Sequence, residues 1–167
     1  MEQIKWPFLK QTWGIEFESS KGAYLYTKDG RKILDAAGGA IVNNIGYGRE
    51  EVAEAISRAV INNSYILPPF LTPEREALLD ELRNHWLPSH LTRIHLSSGG
   101  SEANESAVKL AIQYQASRGK PEKNIILTRS LSYHGTTLNM SGISGHEARK
   151  RGLESYIPSP TTIETPY

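Results

Sequence analysis

The sequence predicts an α/β fold, and three observations predict it. Two strand-like runs, residues 23–27 and 31–35, flank Lys28-Asp29-Gly30, an Asp-Gly corner of the kind that closes antiparallel hairpins. Apolar residues then recur at helical spacing through the middle of the chain. The second half runs strand, helix, strand in quick succession, which is how a parallel sheet begins.

Length and composition bound the rest. The chain has 167 residues, 38% hydrophobic and 22% charged, which suits one globular domain, or one domain and an appendage. The net charge of +1 excludes a strong electrostatic footprint for nucleic acid or for an anionic membrane. Cysteine is absent, so there is no disulfide framework, no thiolate metal site and no cysteine nucleophile. The start, Met1-Glu2-Gln3-Ile4-Lys5-Trp6-Pro7, lacks the basic and apolar regions of a secretory signal, and no run is apolar enough to span a membrane. The expectation is a cytoplasmic protein.

The elements follow in order. Residues 1–13 carry Trp6, Phe8 and Trp13 and read as a segment draped over another surface. A small antiparallel sheet is expected between 15 and 35. The stretch from Gly38 to Gly48 is too glycine-rich for a regular element and reads as running along a surface or close to a ligand. Val52, Ala55, Ile56, Ala59 and Val60 then mark an amphipathic helix, with Glu50 and Glu51 in its first turn. Thr72-Pro73 opens another helix, threonine as N-cap and proline at the first helical position, and Pro88 ends it. A strand is expected over 93–97, a helix over about 102–117 and a strand over 124–128. The chain closes in a proline-rich run. Because two parallel strands cannot cover themselves, it reads as the front part of a larger domain.

Ser98-Gly99-Gly100-Ser101, between a predicted strand and a predicted helix, is the best candidate for chemistry. Glycines let a backbone approach a ligand, and a helix start offers free N–H groups to a phosphate. A tight turn with Ser101 as N-cap and Asn104 at N3 explains the same residues without a ligand. No Walker or dinucleotide pattern is present, so a nucleotide is not the natural phosphate. Ser132-Tyr133-His134-Gly135-Thr136-Thr137 follows the next strand and belongs to the same rim of an open sheet. An aromatic ring beside a phosphate cradle points to a flat, phosphorylated, ring-bearing ligand; half-buried loop residues are the plainer reading of Tyr133 and His134. His85, His90 and His95 are spaced for neither a helical pair nor a zinc site. Glu102 and Glu105 read as helix electrostatics, and Arg149-Lys150-Arg151 as a solvated face.

Together these residues resemble a known family. The run Ser98-Gly99-Gly100-Ser101-Glu102-Ala103-Asn104-Glu105-Ser106-Ala107-Val108-Lys109-Leu110-Ala111 resembles the cofactor-phosphate segment of class III (ω-type) aminotransferases, pyridoxal-phosphate enzymes of fold type I. Tyr133-His134-Gly135 follows at the family's usual distance. The hairpin ending in Asp35, then Asn44-Ile45-Gly46-Tyr47-Gly48-Arg49 before a helix, is similar to the family's opening. The resemblance implies the N-terminal portion of a fold type I enzyme. Residues 1–70 would be an N-terminal segment with the small-domain hairpin and helices, and 71–167 the start of the large domain with its mixed or parallel sheet.

It also implies roles. Gly100 and Ser101 would bind the phosphate of pyridoxal 5'-phosphate, Tyr133 would stack on its ring, and His134 with Gly135 would shape the pocket. Ala40 and Ile41 would face the substrate, where many relatives place a bulky aromatic instead. The implied reaction is amino transfer between an amine or amino acid and a 2-oxo acid, in a homodimer. No catalytic residue is assigned within this chain: the resemblance places the Schiff-base lysine beyond Tyr167, so the isolated chain is expected to be inactive. Two alternatives stay open, a truncated non-catalytic binding or assembly partner, and another fold type I reaction such as a racemase, aminomutase or decarboxylase.

Overall fold

The computed structural model describes residues 14–165. The segment 1–13, expected to drape over another surface, lies outside the described residues. Chain contacts divide the molecule into two compact units, with the division between His85 and Trp86. The boundary read from the sequence, 70/71, differs from this by the helix at Pro73–Glu81 and the turn after it.

The first unit opens on the antiparallel sheet that the Asp-Gly corner predicts: β1 (Phe17–Lys21), β2 (Tyr24–Thr27) and β3 (Lys32–Leu34), in that order. Tyr24 faces Lys21 on one side and Leu34 on the other. The corner is held from within by Thr27, which is buried; its backbone N–H donates to the Arg31 carbonyl at 3.0 Å and its hydroxyl accepts from the Arg31 N–H at 2.9 Å. Gly30, at φ +86°, takes the left-handed position such a corner requires. The glycine-rich stretch then folds back on this sheet. Gly22 and Tyr47 exchange backbone hydrogen bonds of 2.9 and 2.8 Å, and a Cβ on Gly46 would stand 3.2 Å from the Gly22 carbonyl oxygen. Within the stretch, α1 (Gly38–Ile41) is a single turn of left-handed hand.

Helix α2 (Glu50–Asn62) carries the predicted apolar stripe, and in this chain the stripe is exposed at Val52, Ile56 and Val60. Helix α3 (Pro73–Glu81) starts as predicted, with the Thr72 hydroxyl accepting from the Arg75 N–H at 3.3 Å. The Arg75 guanidinium gathers the carbonyls of Ile66, Leu67 and Phe70, which shapes the loop before the helix. The helix does not run unbroken to Pro88; it passes into a π-helical turn at Leu82–Trp86.

The second unit is built on α4 (Gly100–Ser117), β4 (Leu127–Arg129), α5 (Leu138–Ile143), α6 (Glu147–Lys150) and β5 (Thr161–Ile163). Its buried apolar centre is on α5, at Met140 and Ile143, with Gly142 against Pro158. The parallel pairing is real but differs from the expected one. β4 pairs with β5, Leu127 opposite Thr161, whereas residues 93–97 form no ladder among the described residues. An extended run becomes a strand only where a neighbour offers its N–H and C=O groups, and none does so here. Thr161–Ile163, within the run expected to be a proline-rich close, is a strand, and its β-branched residues are the local signal for it.

Candidate functional site

Helix α4 begins one residue after Gly99, which is extended at φ −173°. The first intrahelical bond is Ala103 N–H to the Gly99 carbonyl at 3.0 Å, so the N–H groups of Gly100, Ser101 and Glu102 precede the helical ladder. Cβ atoms built on Gly99 and Gly100 would meet nothing within 4 Å, leaving open space in front of those donors. The Glu102 carboxylate turns back to accept from the Ser98 N–H at 2.8 Å and fixes the approach of the loop. Ser101 is therefore not the N-cap, which corrects the ligand-free alternative read from the sequence. Its hydroxyl oxygen instead accepts from the Thr136 N–H at 3.0 Å, which leaves the hydroxyl proton available to an acceptor elsewhere.

That bond reaches the second predicted segment. Gly135, at φ +141°, is buried against Ser101: a Cβ there would stand 2.4 Å from the Ser101 Oγ and 3.0 Å from its Cα. Asn104 Nδ2 donates to the His134 carbonyl at 2.8 Å, and Glu105 accepts from Thr137 at 2.5 Å and from Asn139 at 2.8 Å. These two hydroxyl and amide donors hold the Glu105 carboxyl below its ordinary value. The structure thus joins Ser101 to the segment of Tyr133, His134 and Gly135, although not by the shared sheet rim the sequence predicts, since residues 93–97 form no ladder among the described residues.

The individual side chains differ. His134 turns inward: its Nε2 lies 3.1 Å from the Thr128 Oγ1, and its backbone N–H donates to the buried Ser144 hydroxyl at 2.9 Å. Its ring is an anchor to β4. Tyr133 is 54% exposed, and the Arg149 guanidinium sits 5.1 Å from its ring centroid. Arg149 is thus not simply part of a solvated basic face, whereas Lys150 pairs with Glu147 at 2.8 Å. Asn139 and the pairings of Asn104, Thr136 and Thr137 are not legible in the sequence, since nothing local marks a residue whose partner is some thirty positions away.

Ala40 and Ile41 belong to the first unit, in the left-handed turn α1. Their φ values, +59° and +64°, are unusual for residues other than glycine and most unusual for β-branched isoleucine. The Asp35 carboxylate brackets this turn, accepting from Ala37 N–H at 3.0 Å, Gly39 N–H at 2.7 Å and the Tyr47 hydroxyl at 2.7 Å. The Tyr47 hydroxyl, first among these donors, lowers the Asp35 pKa, and the carboxylate raises that of Tyr47. Beside the turn is a hollow of about 530 Å³, lined by Asp35, Ile41, Asn43, Asn44 and Tyr47 among others. Ile41 stands 81% exposed.

The aminotransferase class-III family model matches residues 10–167. This chain belongs to the class III aminotransferases. A probable aminotransferase of Mycobacterium tuberculosis is 38% identical over 138 residues, 82% of this chain and 29% of that protein. The putrescine–pyruvate aminotransferase of Pseudomonas aeruginosa is 30% identical over 149 residues, 89% of this chain and 33% of that protein. Among solved structures, a thermostable (S)-enantioselective ω-transaminase from Thermomicrobium roseum matches with a TM-score of 0.85 at 28% identity, covering 92% of this chain and 34% of that one. The chain spans about a third of the length of these relatives. The architecture is the N-terminal portion of fold type I, and pyridoxal phosphate is the cofactor of this family.

The residues present fit the phosphate of that cofactor. Ladder-free N–H groups, a serine hydroxyl with its proton to give, and open space over two glycines are the donor set an anion needs. Among the described residues no cluster of side chains suits a metal ion, and no helix is long and apolar enough to cross a membrane.

Proposed function

We propose that this chain forms the phosphate- and ring-binding front of an enzyme that transfers an amino group between an amine or amino acid and a 2-oxo acid. The observation that supports it most is the close apposition of Ser101 and Gly135, which puts the α4 donors beside the segment bearing Tyr133. In this reading the Gly100 N–H and the Ser101 hydroxyl hold the cofactor phosphate. Tyr133 offers a ring face for stacking, while His134 and Gly135 hold the loop in register. Ala40 and Ile41 form the substrate side, and no lysine of this chain is assigned covalent attachment. Pyridoxal phosphate, when bound, supplies the electron sink for the exchange. The proposal extends to a homodimer acting in the cytoplasm, with 1–167 inactive on its own.

The test is a titration of the native protein with pyridoxal phosphate, followed by absorbance, together with alanine formation from pyruvate and an amine donor. Saturable binding that Ser101→Ala weakens, with alanine formed, supports the reading. Saturable binding without amino transfer would shift it to another fold type I reaction, and no saturable binding would overturn it.

A further inference from the structure

Glu105 has a place in the structure that helix electrostatics does not explain. It is the sixth residue of α4, beyond the first turn in which a carboxylate gains from the helix dipole; Glu102 alone is the acidic residue of that turn. A negative charge one turn behind an anion cradle also opposes the anion. Yet both oxygens of Glu105 are engaged across the unit, Oε1 by Thr137 at 2.5 Å and Oε2 by Asn139 at 2.8 Å. Thr137 is the N-cap of α5, its hydroxyl accepting from the Met140 N–H at 3.4 Å, and Met140 is fully buried. Through Thr137 the carboxylate ties the start of α4 to the buried centre of the unit. The residues between that tie and Tyr133 are His134, whose carbonyl accepts from Asn104, Gly135, which touches Ser101, and Thr136, which donates to it.

We infer that Glu105 is a positioning residue that sets the Ser101 hydroxyl and the Tyr133 ring at the spacing one cofactor needs, an inference that rests on the cradle reading above. Its two hydrogen bonds keep the loop from sliding along α4. Without them Ser101 keeps its place in the helix, and the Tyr133 segment is left to the Asn104–His134 and Ser101–Thr136 bonds, which loosens its register on α4. The ligand is then held by the phosphate or by the ring, not by both at once.

The sign of the effect separates positioning from charge. Glu105→Ala removes a negative charge near the phosphate, so a purely electrostatic role predicts tighter binding of pyridoxal phosphate. Positioning predicts weaker binding, by about ten-fold, the loss of one well-set charge-assisted hydrogen bond. Glu105→Gln, which keeps an acceptor, recovers part of the loss, and Asn139→Ala reproduces part of it while leaving the carboxylate in place. Affinities for pyridoxal phosphate, phosphate-free pyridoxal and inorganic phosphate are measured in parallel on the native protein. Positioning lowers the ratio of pyridoxal phosphate to pyridoxal affinity, a ratio that uniform destabilisation leaves unmoved. If wild type binds and Ser101→Ala weakens it, while Glu105→Ala and Asn139→Ala leave the ratio unchanged or raise it, the inference about Glu105 is overturned and the cradle stands. If wild type fails to bind pyridoxal phosphate, both fall together. Should Glu105→Ala not fold, Glu105→Gln and Asn139→Ala decide alone.

Discussion

Replacing Gly135 with alanine puts a methyl group where Ser101 already stands. The new carbon would lie 2.4 Å from the Ser101 Oγ, 2.9 Å from its Cβ and 3.0 Å from its Cα. A hydroxyl can rotate away, but the Cα belongs to the second residue of α4 and cannot, so loop and helix must part. Overpacking of this kind costs about 1–3 kcal/mol, and a φ of +141° adds roughly 1 kcal/mol or more for an L side chain. On the proposed role of Ser101 at the cofactor phosphate, its displacement also costs about 1.5–3 kcal/mol for a hydrogen bond to a charged group, or roughly 10- to 100-fold in affinity. Urea unfolding and a pyridoxal phosphate titration measure the two losses. Ser101→Gly in the alanine background removes the Oγ and Cβ contacts and leaves only Cα, so the double variant regains stability that the two single changes, added together, would not give. A Gly135→Ala protein with wild-type stability and affinity, or strict additivity in that cycle, would refute the reasoning.

Further expectations follow from the same geometry. Gly145→Ala meets unyielding backbone, with its Cβ 2.5 Å from both the Arg129 carbonyl oxygen and the Leu131 nitrogen, and is expected to lower urea stability by roughly 3 kcal/mol or more. Gly99→Ala, with open space and extended backbone, stays within about 0.5 kcal/mol in the same assay. Thr72→Ala removes the α3 cap and costs about 1 kcal/mol, read as a lower thermal midpoint. At the hairpin corner, Arg31 and then Thr27 lower the Asp29 pKa to about 2. A depressed folded value contributes stability that is fully present above the unfolded pKa, near 4. That stability is lost as pH falls through about 2. Stability measured against pH should therefore show an acid-side loss that Asp29→Asn lacks; identical slopes in the two proteins would count against the assignment.

How much of this was legible in the sequence depends on where each determinant lies. The hairpin was, because the Asp-Gly corner and its flanking strands are contiguous and Thr27 only closes what they begin. Helix α4 and its glycine entry were, because periodicity and a glycine pair ahead of a helix are local signals. Ser101 at the entry to α4 was legible as a candidate, but the partner of its hydroxyl, Thr136, was not, because that contact closes across thirty-five positions. Strand β5 escaped because three β-branched residues between prolines say little until β4 stands beside them. The left-handed hand of α1 escaped too. Gly38-Gly39 permits it, but Ala40 and Ile41 argue against it, and only the Asp35 bracket reconciles them.

That bracket also carries the backbone strain of the turn. Left-handed backbone costs roughly 1–2 kcal/mol for each residue with a side chain, so Ala40 and Ile41 hold this shape only because something over-determines it. Asp35 does so from one carboxylate, through the Ala37 and Gly39 N–H groups before the strained pair and the Tyr47 hydroxyl beyond it. Tyr47 is itself pinned to Gly22 by two backbone hydrogen bonds, so the turn inherits its position from the sheet. A right-handed turn would relieve the strain and aim Ile41 elsewhere. The strain therefore belongs to the aim of Ile41, whose backbone is held by a carboxylate six positions upstream.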